Sequence, residues 1–134
     1  MITDRVGDFI VRLNNAGAVR KPSVSLPYSA HLEAIAKKLK ALGYVESVDV
    51  IANEKTPAKR TLDVVLAYDA QGVSKIHGVK RVSKPGRRLY AAGKDAHSVK
   101  NGVGVRVLST PKGILSDREA RKQQAGGETL FDIW

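Results

Sequence analysis

Two runs of residues constrain this chain more than any other feature: "YVESVDVI" at 44–51 and "TLDVVLAY" at 61–68. Both are rich in β-branched and aromatic side chains, the composition that fits a pleated, half-buried surface. The polar stretch "ANEKTPAKR" between them has no apolar face to bury and reads as a connection. The first half of the chain must therefore be built around a sheet.

Helices supply its cover. Thr3 can cap a helix beginning at Asp4, whose acid suits the positive end of the helix dipole. Val6, Phe9, Ile10 and Leu13 then recur at the spacing of one buried helical face. Asn14, Asn15 and Gly17 are expected to end it. "VSLP" reads as a short strand, and Ser29 as the cap of a second helix that buries Leu32, Ile35, Ala36 and Leu39. Gly43 closes that helix in the left-handed conformation. The order α-β-α-β-β predicts a small sheet with two helices on one face.

Gln71 and Gly72 mark a boundary, giving two expected domains, 1–72 and 73–134. In the second, "KIHGVKRVS" and "LYAA" read as strands around a "KPGRR" turn, and "GKDAHSVKNG" as a loop. Val103, Val105 and Val107 alternate with smaller or polar residues, as in a half-buried strand. Ser116 and Glu119 have the S-x-x-E spacing of a capping box at the head of a short helix. The glycines 126–127 are expected to end that helix region, and "ETLFDIW" to close the chain as a strand. The fold class is thus α+β: an α-β-α-β-β domain, then a mostly antiparallel β domain with one short helix.

Charge separates the halves. Residues 1–74 hold 10 basic and 8 acidic side chains, whereas residues 75–134 hold 13 basic and 5 acidic. A uniformly solubilising surface would not segregate charge in this way; a one-sided positive field suits a polyanion, nucleic acid before anionic membrane. There is no cysteine, which excludes disulfides, thiolate nucleophiles and cysteine-ligated zinc. The longest apolar run, Val64 to Tyr68, is far too short to span a bilayer. The charged opening "MITDRVGDFI" is unlike a signal peptide, so an intracellular soluble protein is expected.

No reaction is visible. His31, His77 and His97 are far apart in sequence and form no metal-ligand pattern. "GVGVRV" lacks the third glycine of a dinucleotide fingerprint, and "PKGILS" lacks the order of a phosphate loop. Neither a cofactor nor a metal is expected.

Two stretches carry binding chemistry instead. In "KRVSKPGRRLY", Lys80, Arg81, Lys84, Arg87 and Arg88 crowd a proline-glycine turn, and Tyr90 follows. Arginines beside an aromatic ring match the way RNA is held, by phosphate pairing and by stacking on an unpaired base. In "STPKG", the hydroxyls of Ser109 and Thr110 can address base edges or ribose hydroxyls. Lys112 offers a cation, Gly113 permits close backbone approach, and Pro111 stiffens what reads as a turn ahead of the helix.

"LSTPKGILSDREARKQQAGGE" closely resembles the C-terminal signature of the small-subunit ribosomal protein number eight family, S-T-S-K-G followed by two hydrophobic residues, [ST]-D-R-E-A-R and then G-G-E. "RVSKPGRRLY" resembles a second block of that family, and "TDRVGDFIVRLNNA" its first helix, so the likeness covers the whole chain in order. It implies a structural component of the small subunit that binds the central domain of small-subunit rRNA, mostly through its C-terminal domain, and helps assembly. Implied RNA-binding residues are Ser109, Thr110, Lys112, Gly113 and Tyr90, joined by Lys84, Arg87 and Arg88 of the basic turn. Gly126, Gly127 and Glu128 match the segment that packs against the hydroxyl loop. Neighbouring ribosomal proteins are further implied partners, and in some members so is the messenger RNA of their own operon. Pro111 departs from the family's serine, Ala30 and Leu32 stand where lysine or arginine is common, and Asn14 replaces an arginine. An RNA-processing enzyme using His77 and His97 is the rival reading. A membrane-surface binder ranks last, because no basic amphipathic helix with a bulky apolar face is present.

Overall fold

The computed structural model describes residues 4–52, 54–56, 59–92, 99 and 103–134. Thr3, His97 and most of the 93–102 loop lie outside the described residues. Among them the elements run α1 (Arg5–Ala18), β1 (Ser23–Pro27), α2 (Ala30–Ala41), β2 (Val45–Ala52), β3 (Arg60–Leu66), β4 (Val79–Arg81), β5 (Tyr90–Ala91), β6 (Val105–Thr110), β7 (Gly113–Ser116), α3 (Asp117–Gln123) and β8 (Gly127–Ile133). The α+β class is as expected. Two compact units form, one from Phe9–Ile76 and one from the N-terminal residues through Asp8 with His77–Trp134.

In the first unit β3 is central, flanked antiparallel by β1 and β2. Leu62, Val64 and Leu66 of β3 are buried with Ile35, Ala36 and Leu39 of α2 and with Phe9, Ile10 and Leu13 of α1. The sheet thus buries one face, as its alternating sequence requires. Ser29 caps α2, accepting from the Leu32 N–H. Gly43 follows at φ +90°, and the Tyr44 N–H closes the end onto the Leu39 carbonyl at 2.9 Å.

The ends of α1 differ from the sequence expectation. Asp4 itself occupies the capping position, its carboxylate accepting from the Gly7 N–H at 3.0 Å. The helix also continues through Asn14, Asn15 and Gly17 to Ala18. Gly17 is not a stop. A Cβ there would lie 2.5 Å from Ser74 Oγ, so the residue is glycine to admit a neighbour. Termination falls to Arg20 at φ +59°, with the Lys21 N–H donating to the Ala16 carbonyl.

In the second unit β8 is the central strand. It pairs antiparallel with β6 along one side and, at different points along its length, with β4 and β5; β7 adds beyond β6. The register of β6 on β8 slips between Val107↔Phe131 and Leu108↔Thr129, so Leu130 is an extra residue, a bulge in β8. The bulge interrupts alternation, and Thr129 to Ile133 are buried in succession. The first strand expected here, "KIHGVKRVS", pairs only over Val79–Arg81. The expected valine alternation holds at the half-buried Val105 and the buried Val107, but Val103 precedes the strand and is 80% exposed, and Leu108 is buried beside Val107.

Candidate nucleic-acid interface

The stretch "STPKG" is not a turn leading into a helix. Ser109 and Thr110 end β6, Gly113 begins β7, and Pro111–Lys112 form the two-residue tip of a β-hairpin in which Thr110 pairs with Gly113. Gly113 adopts φ +110°, which only glycine takes without strain. The Thr110 hydroxyl locks the tip, donating to the Gly113 carbonyl at 2.8 Å and accepting from the Lys112 N–H at 3.1 Å. Its polar atoms are therefore largely spent within the hairpin. Among the described residues Ser109 has no side-chain partner, so its hydroxyl is the available one. Lys112 is exposed, its Nζ 3.4 Å from the Gln123 carbonyl at the end of α3.

The hairpin runs directly into α3. Ser116 ends β7 and caps the helix, accepting from the Glu119 N–H at 3.2 Å while the Glu119 carboxylate accepts from the Ser116 N–H at 3.1 Å. The helix stops before the glycine pair, at Gln124 in the left-handed conformation, with the Ala125 N–H on the Ala120 carbonyl. That frees Gly126 and Gly127 for another task. A Cβ on Gly127 would lie 2.0 Å from the Ser109 carbonyl oxygen, so the start of β8 presses directly on the end of β6.

Strand register gathers the remaining residues. Tyr90 of β5 is opposite Glu128 of β8, and Glu128 is opposite Ser109 of β6. Directly opposed residues project to the same face, so Tyr90, Glu128 and Ser109 form one row across three strands. Tyr90 is 72% exposed, which rules out a core role for its ring. Arg88 reaches the same row, its Nη1 2.9 Å from Glu128 Oε2. Glu128 therefore holds Arg88 in place, and the guanidinium offsets the charge of Glu128.

Lys84 and Arg87 lie on a tight turn of their own, each donating its N–H to the other's carbonyl around Pro85–Gly86. Both side chains are exposed. The turn is held by Ser83, fully buried, whose hydroxyl donates to the Leu89 carbonyl at 3.1 Å and accepts from the Leu89 N–H at 2.9 Å. Thr129 donates to the same Leu89 carbonyl from both its backbone and its hydroxyl. The structure thus brings Tyr90, Arg88, Glu128, Gly127, Ser109, Thr110, Lys112 and Gly113 together, and seats Lys84 and Arg87 on the turn that leads into β5.

Sequence reasoning missed the groups that fix this arrangement. Arg106 makes two hydrogen bonds to Asp132, 2.7 and 3.0 Å, across the β6–β8 ladder, and its N–H donates to Asp117 Oδ1 at 3.2 Å. The Asp132 carboxylate raises the Arg106 pKa above its ordinary value, against the opposite pull of burial. Asp117, buried at the first turn of α3, also pairs with Arg121 at 3.1 Å. Arg81 is likewise committed, with two bonds to Asp4 and one to the bulge carbonyl of Leu130. Arg81 and Arg106 are therefore internal fasteners rather than phosphate ligands. Arg106 and Asp132 show in the sequence only as charged residues at internal positions of the apolar strands β6 and β8, whereas Arg81 ends β4 and Asp4 precedes α1 without any such signal.

In the first unit the departures from the family pattern have plain placements. Leu32 is a core residue, Ala30 opens α2 at the surface, and Asn14 is half-buried on α1. Arg60 lies 4.0 Å over the Tyr28 ring, whose hydroxyl donates to Glu33. Of the rival enzyme's histidines, His77 is exposed with its N–H donated to the Trp134 carbonyl, and His97 is outside the described residues. No cluster of three potential metal ligands occurs among the described residues.

Comparison with known proteins agrees with this geometry. The family described as Ribosomal protein S8 matches residues 4–134. "Small ribosomal subunit protein uS8" of Chlorobium phaeobacteroides is 45% identical over 99% of this chain and 98% of its own length. The protein of the same name from Campylobacter lari is 45% identical over the full length of both, and that of Chlorobaculum tepidum 44% over 99% and 98%. A family match over residues 4–134, with relatives about 45% identical over the full length, has one meaning: the chain belongs to the ribosomal protein S8 family.

Proposed function

We propose that this small-subunit ribosomal protein binds the central domain of small-subunit rRNA directly, through its domain 73–134, and holds that RNA in the shape later assembly steps need. The observation that carries the reading is the row Tyr90–Glu128–Ser109, with the basic turn leading into it and the rigid 109–113 hairpin continuing it. An exposed ring offers a stacking surface, a free hydroxyl offers a donor and acceptor, and Lys84, Arg87 and Lys112 offer charge to phosphates. Nothing needs to reorganise, since Ser83, Thr110, Gly127 and the Arg106–Asp132 pair fix the backbone beforehand, which lowers the ordering cost of binding. The protein works in the cytoplasmic ribosome among neighbouring small-subunit proteins, and no described helix is long and apolar enough to cross a membrane. Its relatives are small ribosomal subunit proteins by name, and no catalytic step is assigned. The same surface would serve for a messenger RNA that imitates the rRNA site.

Titration of the full-length chain against a central-domain rRNA fragment across a salt series tests this. Affinity should fall steeply with salt, and Lys84→Ala with Arg87→Ala should flatten the slope by roughly 0.7–0.9 for each phosphate no longer neutralised. Tyr90→Ala should cost about 1–3 kcal/mol of binding and leave the melting temperature unchanged. Unaltered affinity and salt slope when Lys84→Ala, Arg87→Ala and Tyr90→Ala are combined would overturn the reading.

A further inference from the structure

The first unit carries a site of its own at the rim of its sheet. Leu26 of β1 and Leu62, Val64 and Leu66 of β3 point into the core, and Tyr28 and Arg60 continue the same two alternations one step past it. The Tyr28 N–H donates to the Arg60 carbonyl at 3.0 Å, which extends the β1–β3 pairing and brings the two side chains together. The Arg60 guanidinium lies 4.0 Å over the centre of the Tyr28 ring. Tyr28 donates its hydroxyl to Glu33 Oε1 at 3.0 Å, while Glu33 Oε2 pairs with Lys37 at 3.3 Å. The carboxylate beside the ring is thus spent on both oxygens, and the guanidinium keeps its charge and its outer plane.

An open cleft of about 640 Å³ lies here, lined by residues 25–28 and 59–61. Among the described residues no acid lines it, whereas Lys59 and Arg60 both do. These two side chains are exposed, and among the described residues neither makes an ion pair. A cross-strand arginine–tyrosine pair can staple two strand ends without help. Such a staple needs neither a cleft nor a second cation. The cleft is within the size range of sites for small ligands. A flat stacking plane beside two uncompensated cations suits an occupant that is both planar and anionic, and a nucleotide is both.

We propose that this rim binds one unpaired nucleotide of an RNA strand, its base stacked on the outer plane of Arg60 and its phosphate held by Lys59. The base adds a third layer to the ring and guanidinium, in the way that unpaired bases are held on aromatic and arginine planes. Lys59, a point charge on a flexible stem, suits a phosphate that offers no plane. Tyr28 is fixed at its backbone by Arg60 and at its hydroxyl by Glu33, so the stack is built before the nucleotide arrives. The site shares no residue with the row Tyr90–Glu128–Ser109 and lies wholly within the first unit, so it stands or falls apart from the proposed function.

Anisotropy of a labelled oligoadenylate RNA, too short to fold, titrated with the full-length chain tests this. The chain carries Lys84→Ala, Arg87→Ala and Tyr90→Ala throughout, so that the surface of the second unit is silent. Arg60→Ala should then weaken binding about five-fold or more, the lower end of what one base stack contributes. Lys59→Ala should also weaken it and flatten the salt slope by roughly 0.7, the share of one phosphate on a single strand. Arg60→Lys should keep that slope and still weaken binding, because an ammonium has no plane to stack on. Three results overturn the proposal. One is an Arg60→Lys variant that binds as tightly as its parent, which would leave charge alone at the site. Another is displacement of the RNA by inorganic tripolyphosphate or adenosine monophosphate at concentrations equal to that of unlabelled oligoadenylate. The third is an Arg60→Ala variant that melts earlier but binds the RNA unchanged, which would make the pair a staple.

Discussion

Gly127 and the Ser109 carbonyl oxygen are so close that a Cβ on Gly127 would lie 2.0 Å from that oxygen and 3.0 Å from the Thr110 Cα. Both obstacles are backbone, which cannot swing aside as a side chain can. Gly127→Ala should therefore displace the 109–113 hairpin. Overpacking of this kind costs about 1–3 kcal/mol, and RNA affinity should fall with it. Thermal unfolding together with RNA titration checks this; unchanged values in both would show that the hairpin yields freely.

Ser109 and Thr110 should separate in their effects. The Thr110 hydroxyl donates to Gly113 and accepts from Lys112, so Thr110→Val should cost about 1 kcal/mol of stability and weaken RNA binding only through a looser tip. Ser109→Ala removes an uncommitted hydroxyl. It should leave the melting temperature in place and lower RNA affinity by about 1–3 kcal/mol. Equal losses of stability in the two variants would count against the assignment.

The Arg106–Asp132 pair should behave as a fastener. Asp132→Ala leaves the Arg106 guanidinium without its two acceptors at a largely buried position. A loss approaching about 3 kcal/mol is expected, whereas replacing both partners with apolar residues of similar volume should cost much less. Denaturant unfolding of the single and double variants gives the coupling directly.

Acid should loosen the N-terminal fastening. Burial alone would push the Asp4 carboxyl up, but hydrogen bonds from Arg81 and Gly7, aided by the charges of Arg81 and Arg88, hold it below its ordinary value. A carboxyl depressed in the folded state contributes stability that is complete above its unfolded pKa, near 4, and lost as pH falls through the folded value. Asp4→Asn should lower stability at neutral pH and flatten its decline below about pH 4. Unfolding curves for both proteins from pH 7 to about pH 2 test this; parallel declines would refute it.

Much of this molecule was legible in its sequence because the signals were local. The Ser29 cap, the Ser116–Glu119 capping box and the left-handed Gly43 each depend on residues within one turn, and all three formed. The two apolar runs at 44–51 and 61–68 became paired strands because alternation leaves few other ways to bury them. The family signature at 108–128 was enough to indicate the ribosomal protein S8 family, whose model matches residues 4–134. Other matters were decided only by residues distant in the chain meeting in space. Gly17 looked like a helix stop until Ser74 was seen against it, and Gly126–Gly127 looked like a helix end until Gly127 met Ser109. "STPKG" became a hairpin tip because Gly113 to Ser116 pair back onto β6 as a strand, where the sequence had read only a turn ahead of the helix. The separate pairings of β5 and β6 with β8 put Tyr90, Glu128 and Ser109 in one row, and Arg106 and Arg81 are bonded to Asp132 and Asp4. A sequence dictates which groups can bond, but register, bulge and burial, set by the whole sheet at once, determine which of them remain free for a partner.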